Sequence, residues 1–253
     1  MAGEIINLKK NKCVSGKSNN VEKDNFGLAP KKLSPGPRKK LLVLSLGGLL
    51  CQRVCRREVH NIPRFRHPDA SYGSMLVYKR PYCEEFMKFC LQRFEVGIWS
   101  SAREWYLNSA LDCIMTGLKS KLVFAWDQVE CTDSGFKALE KKQKPIFLKE
   151  FKKLGNLSIE YSASNTLLID DNPYKALLNP PYTAIFPNEY KAEQVGDTAL
   201  GPNGDLRLYL EGLVDADDVP SYVKEHPFGQ PAITPAHSDW EFYSTIITHL
   251  QKG

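Results

Sequence analysis

Short runs of consecutive apolar residues recur along the chain and are separated by more polar segments. Such runs predict strands that are buried on both faces of a sheet, because a half-exposed strand would alternate apolar with polar residues. A Gly-Gly turn, a Ser-Ser pair or an Asp-Asp pair follows three of the runs. The runs are KKLLVLS (39–45), FEVGIW (94–99), KLVFAW (121–126), TLLID (166–170) and TAIFP (183–187).

Two segments between these runs carry apolar residues at helical spacing. The first begins at Pro81, a residue favoured in the first turn of a helix, and its apolar face holds Phe86, Phe89, Cys90 and Phe94. The second spans 103–116 and is expected to point Trp105, Leu107 and Leu111 inward. Residues 144–154 form a basic amphipathic segment. Strands that alternate with helices predict an α/β fold with a doubly wound, mainly parallel sheet.

The carboxyl ends of the predicted strands indicate where a ligand would bind. In open parallel sheets the ligand crevice lies at that edge. The residues directly after the apolar runs include Ser45 to Gly48, Ser100 with Ser101, and Asp170 with Asp171. Two acids, two hydroxyl groups and a Gly-Gly turn are therefore expected around one opening.

The charge of the chain is unevenly distributed. The net charge is +5, but residues 1–40 contain ten Lys or Arg against three Asp or Glu, so the remainder carries about −2. Residues 1–38 contain few large apolar side chains and are predicted to be a disordered basic tail. The lysines and arginine around Ser34 form either a nuclear-import signal or a solvated linker. A neutral to acidic body argues against nucleic acid as a partner.

Neither a membrane span nor a targeting leader is expected. The longest apolar run, 41–50, is ten residues and contains a serine and two glycines, which is too short to cross a bilayer. The first 37 residues contain no arginine and are interrupted by acids, unlike a mitochondrial presequence. A nuclear or cytoplasmic location is predicted. The seven cysteines include no CxxC pair, which favours reduced and mostly buried thiols.

Five segments in a fixed order carry a resemblance to a known family: LLVLSLGGLL, YKRPYCEEFMKF, VGIWSSA, PIFLKEFKKLG and LLIDDNP. This order resembles the FCP-homology branch of the haloacid dehalogenase (HAD) superfamily, which is also described as NLI-interacting-factor-like or CTD-phosphatase-like. The later segment VGDTALGPNGDLRLYLEGL resembles a plant-type subgroup. The resemblance covers 39–215 and implies a HAD-like sheet with an insertion after the first strand. It leaves 216–253 as a C-terminal extension.

The first catalytic motif departs from the family pattern. Members of this kind carry Asp-x-Asp-x-Thr, in which the first Asp attacks the phosphoryl group and ligates magnesium and the second is the general acid and base. The matching positions here are Ser45, Gly47 and Leu49. A serine hydroxyl is not ionised at neutral pH and needs an adjacent base. Losing a positioned acid or base alone costs about 10²–10⁴-fold in rate, so the motif is predicted to be degenerate.

The resemblance assigns roles to four further residues. Ser100 would hold a phosphoryl oxygen, Lys149 would neutralise phosphate charge, and Asp170 and Asp171 would hold magnesium. Magnesium binding is expected to be weak or lost, because this metal prefers several oxygen ligands in octahedral geometry.

Simpler interpretations of the same residues stay open. Ser101 would be the N-cap of the 103–116 helix, Lys149 would belong to a solvated face, and the Asp-Asp pair would be a plain turn. The arginines at 53–66 occupy the position of a lid-like insertion. They would either grip an acidic or phosphorylated partner or form a charged loop.

Three functions follow from the resemblance. The first is a pseudophosphatase, a catalytically impaired domain that binds protein, including segments with phosphoserine or phosphothreonine. The second is an active magnesium-dependent protein Ser/Thr phosphatase with a substitute nucleophile. The third is a subunit similar to the receptor of the mitochondrial inner-membrane translocase.

Overall fold

The computed structural model describes residues 39–140, 142–157 and 161–252, so the predicted tail at 1–38 lies outside the described residues. In these ranges the strands are β1 (Leu41–Leu44), β2 (Cys51–Cys55), β3 (Ala70–Tyr72), β4 (Met75–Lys79), β5 (Glu95–Trp99), β6 (Phe124–Trp126), β7 (Thr132–Lys137), β8 (Pro145–Leu148), β9 (Thr166–Ile169) and β10 (Ala184–Ile185). The α-helices are α1 (Cys83–Arg93), α2 (Glu104–Ile114), α3 (Asp205–Val214), α4 (Val219–Glu225) and α5 (Trp240–Gln251).

A five-stranded sheet in the order β10-β9-β1-β5-β6 lies at the centre of the fold. All of its neighbouring strands are parallel. The five predicted strands are these five, each somewhat shorter than its apolar run. The mixed α/β class with a mainly parallel sheet is therefore confirmed.

The apolar runs are continuous because both faces of the sheet are covered. In β1, Leu42 and Leu44 pack towards α1, α2 and α3, whereas Leu41 and Val43 face the other side. That second side is covered by Trp99, Phe124 and Leu154, among others. All four residues of β1 are fully buried, and each such side chain stabilises the fold by about 1.5–3 kcal/mol relative to exposure.

The expected insertion after the first strand is a small antiparallel sheet in the order β2-β4-β3. It lies between β1 and α1 in the chain and carries part of the arginine-rich 53–66 stretch. A buried ion pair between Arg80 and Asp197 joins the end of this insertion to the segment before α3. The ion pair thereby ties the end of the insertion to that segment.

The C-terminal part of the chain packs on the domain. Val219 and Val223 of α4 belong to the main core. Tyr243 and Ile246 of α5 pack with Ile146 of the antiparallel β7-β8 pair. The division of the chain at residue 215 stays a prediction.

Two of the sequence-based predictions are wrong. Trp105 was expected inside but is 53% exposed, because the buried face of α2 is set by Leu107, Ala110, Leu111 and Ile114. The basic segment 144–154 is no single amphipathic element. It contains β8 and then a 3-10 helix, Phe151–Asn156, with Lys149 buried between them.

The six described cysteines carry free thiols, and four of them, Cys51, Cys83, Cys90 and Cys131, are buried. The prediction of reduced, mostly buried thiols is confirmed for these six. Cys13 lies outside the described residues. Within the described ranges, every helix falls short of the length and apolar character needed to traverse a bilayer.

Candidate functional site

The carboxyl ends of β1, β5 and β9 open onto a cavity of about 650 Å³. Four of the six predicted site positions line it: Ser45, Gly47, Ser100 and Asp171. The other two, Lys149 and Asp170, are fully buried beneath it. The position of the cavity follows from the parallel sheet, in which the loops after neighbouring strands meet at one edge.

Ser45 follows β1 and is 2% exposed. Its Oγ donates a long hydrogen bond of 3.4 Å to the carbonyl oxygen of Gly47. In the part of the chain that the structure describes, this hydroxyl has no carboxylate or imidazole as hydrogen-bond partner. The residue at the nucleophile position therefore lacks a base that would take its proton.

The two glycines after Ser45 make room for two charged side chains. A Cβ atom at Gly47 would lie 3.4 Å from Nη2 of Arg53, so the arginine lies beside the bare backbone of Gly47. A Cβ atom at Gly48 would lie 2.4 Å from Oδ2 of Asp171, and Gly48 has a positive φ of +79°. Gly48 is therefore required by both space and backbone conformation.

Ser100 follows β5 and is 3% exposed. Its Oγ accepts a hydrogen bond of 3.1 Å from the backbone N–H of Ala102. The N-cap of α2 is Arg103 and not Ser101, so the alternative in which Ser101 caps this helix is wrong. Among the described residues no acceptor takes the hydroxyl proton of Ser100, so this proton can be donated to an acceptor in the cavity.

Asp170 follows β9 and is paired with two lysines. Its Oδ2 lies 2.5 Å from Nζ of Lys149, and its Oδ1 lies 2.9 Å from Nζ of Lys175. Oδ1 also accepts the backbone N–H of Asn172 at 3.0 Å, so the residue does form the local turn that was considered as an alternative. Burial alone would raise the pKa of Asp170, but the two ammonium groups outweigh it and hold this pKa well below its usual range.

The pKa values of the two lysines that contact Asp170 shift in opposite directions. Burial lowers the pKa of Lys149, and the attraction of Asp170 only partly opposes that shift. For Lys175, burial also acts to lower the pKa, but Asp170 and Asp171 together raise it above its usual value. Lys175 is therefore a firmly charged ammonium group that lines the cavity, whereas Lys149 lies beneath it.

Asp171 is the carboxylate that faces the cavity, with 9% of its side chain exposed. Its Oδ1 lies 3.8 Å from Nζ of Lys175, and no group in the described ranges forms a hydrogen bond with it. Burial raises the pKa of Asp171 to about 6, with Lys175 opposing and Asp170 reinforcing the shift.

Comparison with known proteins identifies the family of this chain. The family profile of the NLI interacting factor-like phosphatases matches residues 40–220. The chain belongs to this family. It is also 24% identical over 208 residues to an uncharacterized FCP1 homology domain-containing protein of Schizosaccharomyces pombe, covering 75% of this chain and 78% of the relative.

Solved structures of the RNA polymerase II CTD phosphatase Fcp1 are also similar to this chain. One is described as an essential RNA polymerase II CTD phosphatase, with 15% identity and a TM-score of 0.41. Another is fission yeast Fcp1 bound to beryllium fluoride, with 15% identity and a TM-score of 0.40. Each match covers 84% of this chain and 63% of the Fcp1 chain, so the chain spans less than two thirds of their length.

The donor set of this family member does not fit magnesium. Magnesium favours several oxygen ligands, carboxylates among them, but Ser45 and Gly47 supply no carboxylate and both oxygens of Asp170 are engaged by lysines. Across the described residues no group of three or more His, Cys, Asp or Glu side chains converges. Of the Asp-Asp pair, Asp171 is the acid that lines the cavity.

Two residues important to the site were not singled out from the sequence. Lys175 lies five positions after Asp170, in the 3-10 helix Pro173–Ala176, and its only sequence signal is that the Asn-Pro turn bends the chain back towards the strand end. Lys144 lines the cavity, whereas the sequence pattern predicts only a basic amphipathic segment at 144–154. Arg53 was noted only as one of several arginines in the insertion.

Proposed function

We propose that this CTD-phosphatase-like domain binds phosphoserine or phosphothreonine segments of a protein and does not hydrolyse them. The observation that carries the proposal is the composition of the cavity at the carboxyl edge of the sheet. Uncharged Ser45 and Gly47 occupy the two positions where the family places its reactive acids, whereas cationic side chains line the same cavity.

The residue at the nucleophile position does not support hydrolysis. A carboxylate attacks phosphorus because it is already ionised, whereas a serine must lose its proton during the attack. The hydroxyl of Ser45 is hydrogen-bonded to a backbone carbonyl, which takes no proton. Since position 47 is glycine, the general acid and base of the motif is missing as well.

The distribution of charge between the inner wall and the rim of the cavity supports the binding of a phosphorylated ligand. Arg53, Lys144 and Lys175 are buried or half-buried residues of the cavity wall, and the one buried or half-buried carboxylate that lines the same wall is that of Asp171. The other acids of the wall, Glu58, Glu189 and Glu193, are exposed on the rim. Because water and salt screen exposed charges more than buried ones, the inner part of the cavity favours an anion.

Binding is tested with phosphoserine and phosphothreonine peptides and their unphosphorylated forms, by fluorescence anisotropy at fixed ionic strength. The phosphorylated peptides are expected to bind saturably and more tightly, and Ser100→Ala is expected to weaken them about tenfold by removing one hydrogen bond to a charged group. Equal affinity for the unphosphorylated peptides would contradict the proposal.

Turnover is measured on the same peptides as phosphate release with added magnesium, and the wild-type chain is compared with Asp170→Asn. Equal background rates are expected. Release by the wild-type chain alone, with phosphate trapped covalently on the protein, would establish the active-phosphatase alternative instead.

The predicted nuclear or cytoplasmic location belongs to the same proposal. It is tested by fractionating cells that express a tagged chain. Enrichment with mitochondria would favour the translocase-receptor alternative.

A further inference from the structure

Lys175 is the cation most firmly built into the cavity. It is 6% exposed, yet it lines the cavity wall. The 3-10 helix Pro173–Ala176 bends the chain back immediately after β9, so that the ammonium group contacts Asp170 Oδ1 at 2.9 Å and lies 3.8 Å from Asp171 Oδ1. One ammonium group therefore faces both acids of the Asp-Asp pair.

These contacts place a positive charge where the acids would otherwise hold a metal ion. Oδ2 of Asp170 is engaged by Lys149, and Oδ1 by Lys175 and the backbone of Asn172. A divalent cation ligated by Asp170 would have to displace an ammonium group and would then lie next to it. Repulsion between like charges at such short distances disfavours this exchange strongly.

We propose that Lys175 takes the place of the divalent cation, so that the cavity binds a phosphomonoester without metal. The inference rests on the proposed function above and names the group that neutralises the ligand's charge. A fixed ammonium group has three hydrogen-bond donors, of which Asp170 takes one, and it provides a permanent charge in the wall of the site.

Arg53 provides a second contact from the opposite element, the insertion strand β2. Its guanidinium lies beside the backbone of Gly47, and its Nε is buried without a hydrogen-bond partner among the described residues. Buried donors of this kind are rarely left unsatisfied unless a water or ligand completes them. Planar guanidinium groups match the geometry of phosphate oxygens, so Arg53 and Lys175 together suit a phosphate group.

The experiment measures phosphopeptide affinity in EDTA and in excess magnesium for three chains: wild type, Lys175→Met, and Lys191→Met. Lys191 is the matched control, because it lines the same cavity but is exposed on the rim. The wild-type affinity is expected to be the same in both solutions. Lys175→Met is expected to weaken binding about tenfold to a hundredfold, the effect of one hydrogen bond between charged groups, and Lys191→Met about twofold or less.

A second measurement uses Mn²⁺ alone, detected by electron paramagnetic resonance. The wild-type chain is expected to leave Mn²⁺ free, whereas Lys175→Met is expected to bind it because Asp170 and Asp171 regain available oxygens. If Lys175→Met fails to fold, Lys175→Arg keeps the charge and is expected to keep metal-independent binding.

The outcomes separate this inference from the proposed function. Wild-type binding that requires magnesium, or that Lys175→Met leaves unchanged, overturns the role of Lys175 while phosphopeptide binding stands. If the wild-type chain binds no phosphopeptide, the proposed function fails, and the Mn²⁺ measurement decides only whether Lys175 takes the place of the cation. Tight Mn²⁺ binding by the wild type overturns it, and binding gained only in Lys175→Met supports it.

Discussion

The ion pair between Arg80 and Asp197 and the charged cluster around Asp170 are both buried, but they are satisfied to different degrees. Nε and Nη2 of Arg80 reach both oxygens of Asp197, at 2.8 to 3.2 Å, and Nη1 donates to the carbonyl of Leu49. Around Asp170, two ammonium groups share one carboxylate, while Oδ1 of Asp171 lies 3.8 Å from Lys175 and accepts no hydrogen bond from the described residues.

This difference separates a structural role from a binding role. A buried pair in which one cation meets one anion, with bidentate geometry, fixes two chain segments and leaves nothing for a ligand to do. A cluster that leaves a buried carboxylate oxygen without a hydrogen bond is incomplete by itself. We infer that Arg80 and Asp197 hold the insertion in place, whereas the Asp170 cluster is completed by a ligand.

The largest effect is expected from Arg80→Met. Removing the guanidinium leaves the carboxylate of Asp197 buried without its counter-charge, which destabilises a protein by about 3–5 kcal/mol. Unfolding in urea measures the loss. The control is Lys88→Met, which removes an exposed ion pair with Glu84 and is expected to leave the stability nearly unchanged, because solvent screens such pairs. A loss for Arg80→Met as small as that of the control would show that the pair is not structural.

A smaller loss of stability is expected from Lys175→Met. Asp170 keeps Lys149 as a partner after this change, so the charge left behind is not isolated. The expected cost is about 1.5–3 kcal/mol, the value of one hydrogen bond between charged groups. The same urea titration tests it, and a cost greater than that of Arg80→Met would reverse the assignment of structural and binding roles.

Alanine substitutions at the two adjacent glycines are expected to change the stability in opposite directions. Gly48→Ala forces a side chain into a positive φ and against Asp171, and is expected to cost about 1–3 kcal/mol or more. Gly47→Ala brings its Cβ into ordinary contact with Arg53, and is expected to change stability by about 1 kcal/mol or less, towards stabilisation. Thermal unfolding of both variants measures the difference. Equal losses would mean that the loop adjusts freely.

The fold was accessible from the sequence because buried parallel strands leave a pattern in consecutive residues. Leu41–Leu44 and Thr166–Ile169 are fully buried, so their apolar runs alone identified the strands. The strand ends then located Ser45, Ser100 and Asp171 at one cavity. The helical pattern did not predict the exposure of Trp105, because this residue lies in the first turn of α2, outside the face formed by Leu107, Ala110, Leu111 and Ile114.

The charges inside the site were less accessible, because sequence does not reveal which lysine is buried. The sequence does not distinguish Lys144, Lys149 and Lys175, which lie near the same strands. Lys149 is fully buried beneath the cavity as a partner of Asp170, whereas Lys175 pairs with the same carboxylate and also lines the cavity. The positions of these side chains depend on the turn after β9 and on the two glycines that leave room for Arg53 and Asp171. Both depend on the folded structure and cannot be inferred from the sequence alone. Lys149, predicted to contact phosphate, lies beneath the cavity, and its contact with a ligand stays a prediction.

The smallest effect is expected from restoring the acids of the first motif. In Ser45→Asp/Gly47→Asp, the new carboxylate at position 47 meets the guanidinium of Arg53, which lies 3.4 Å from the Cβ position, and Lys175 still engages Asp170. Phosphate release with magnesium is therefore expected to stay at background. Adding Lys175→Met to the same chain is expected to raise release above background in a magnesium-dependent manner. If the double variant alone turns over, the ammonium of Lys175 does not exclude the metal, and the contrast between a closed structural pair and an incomplete binding cluster is lost.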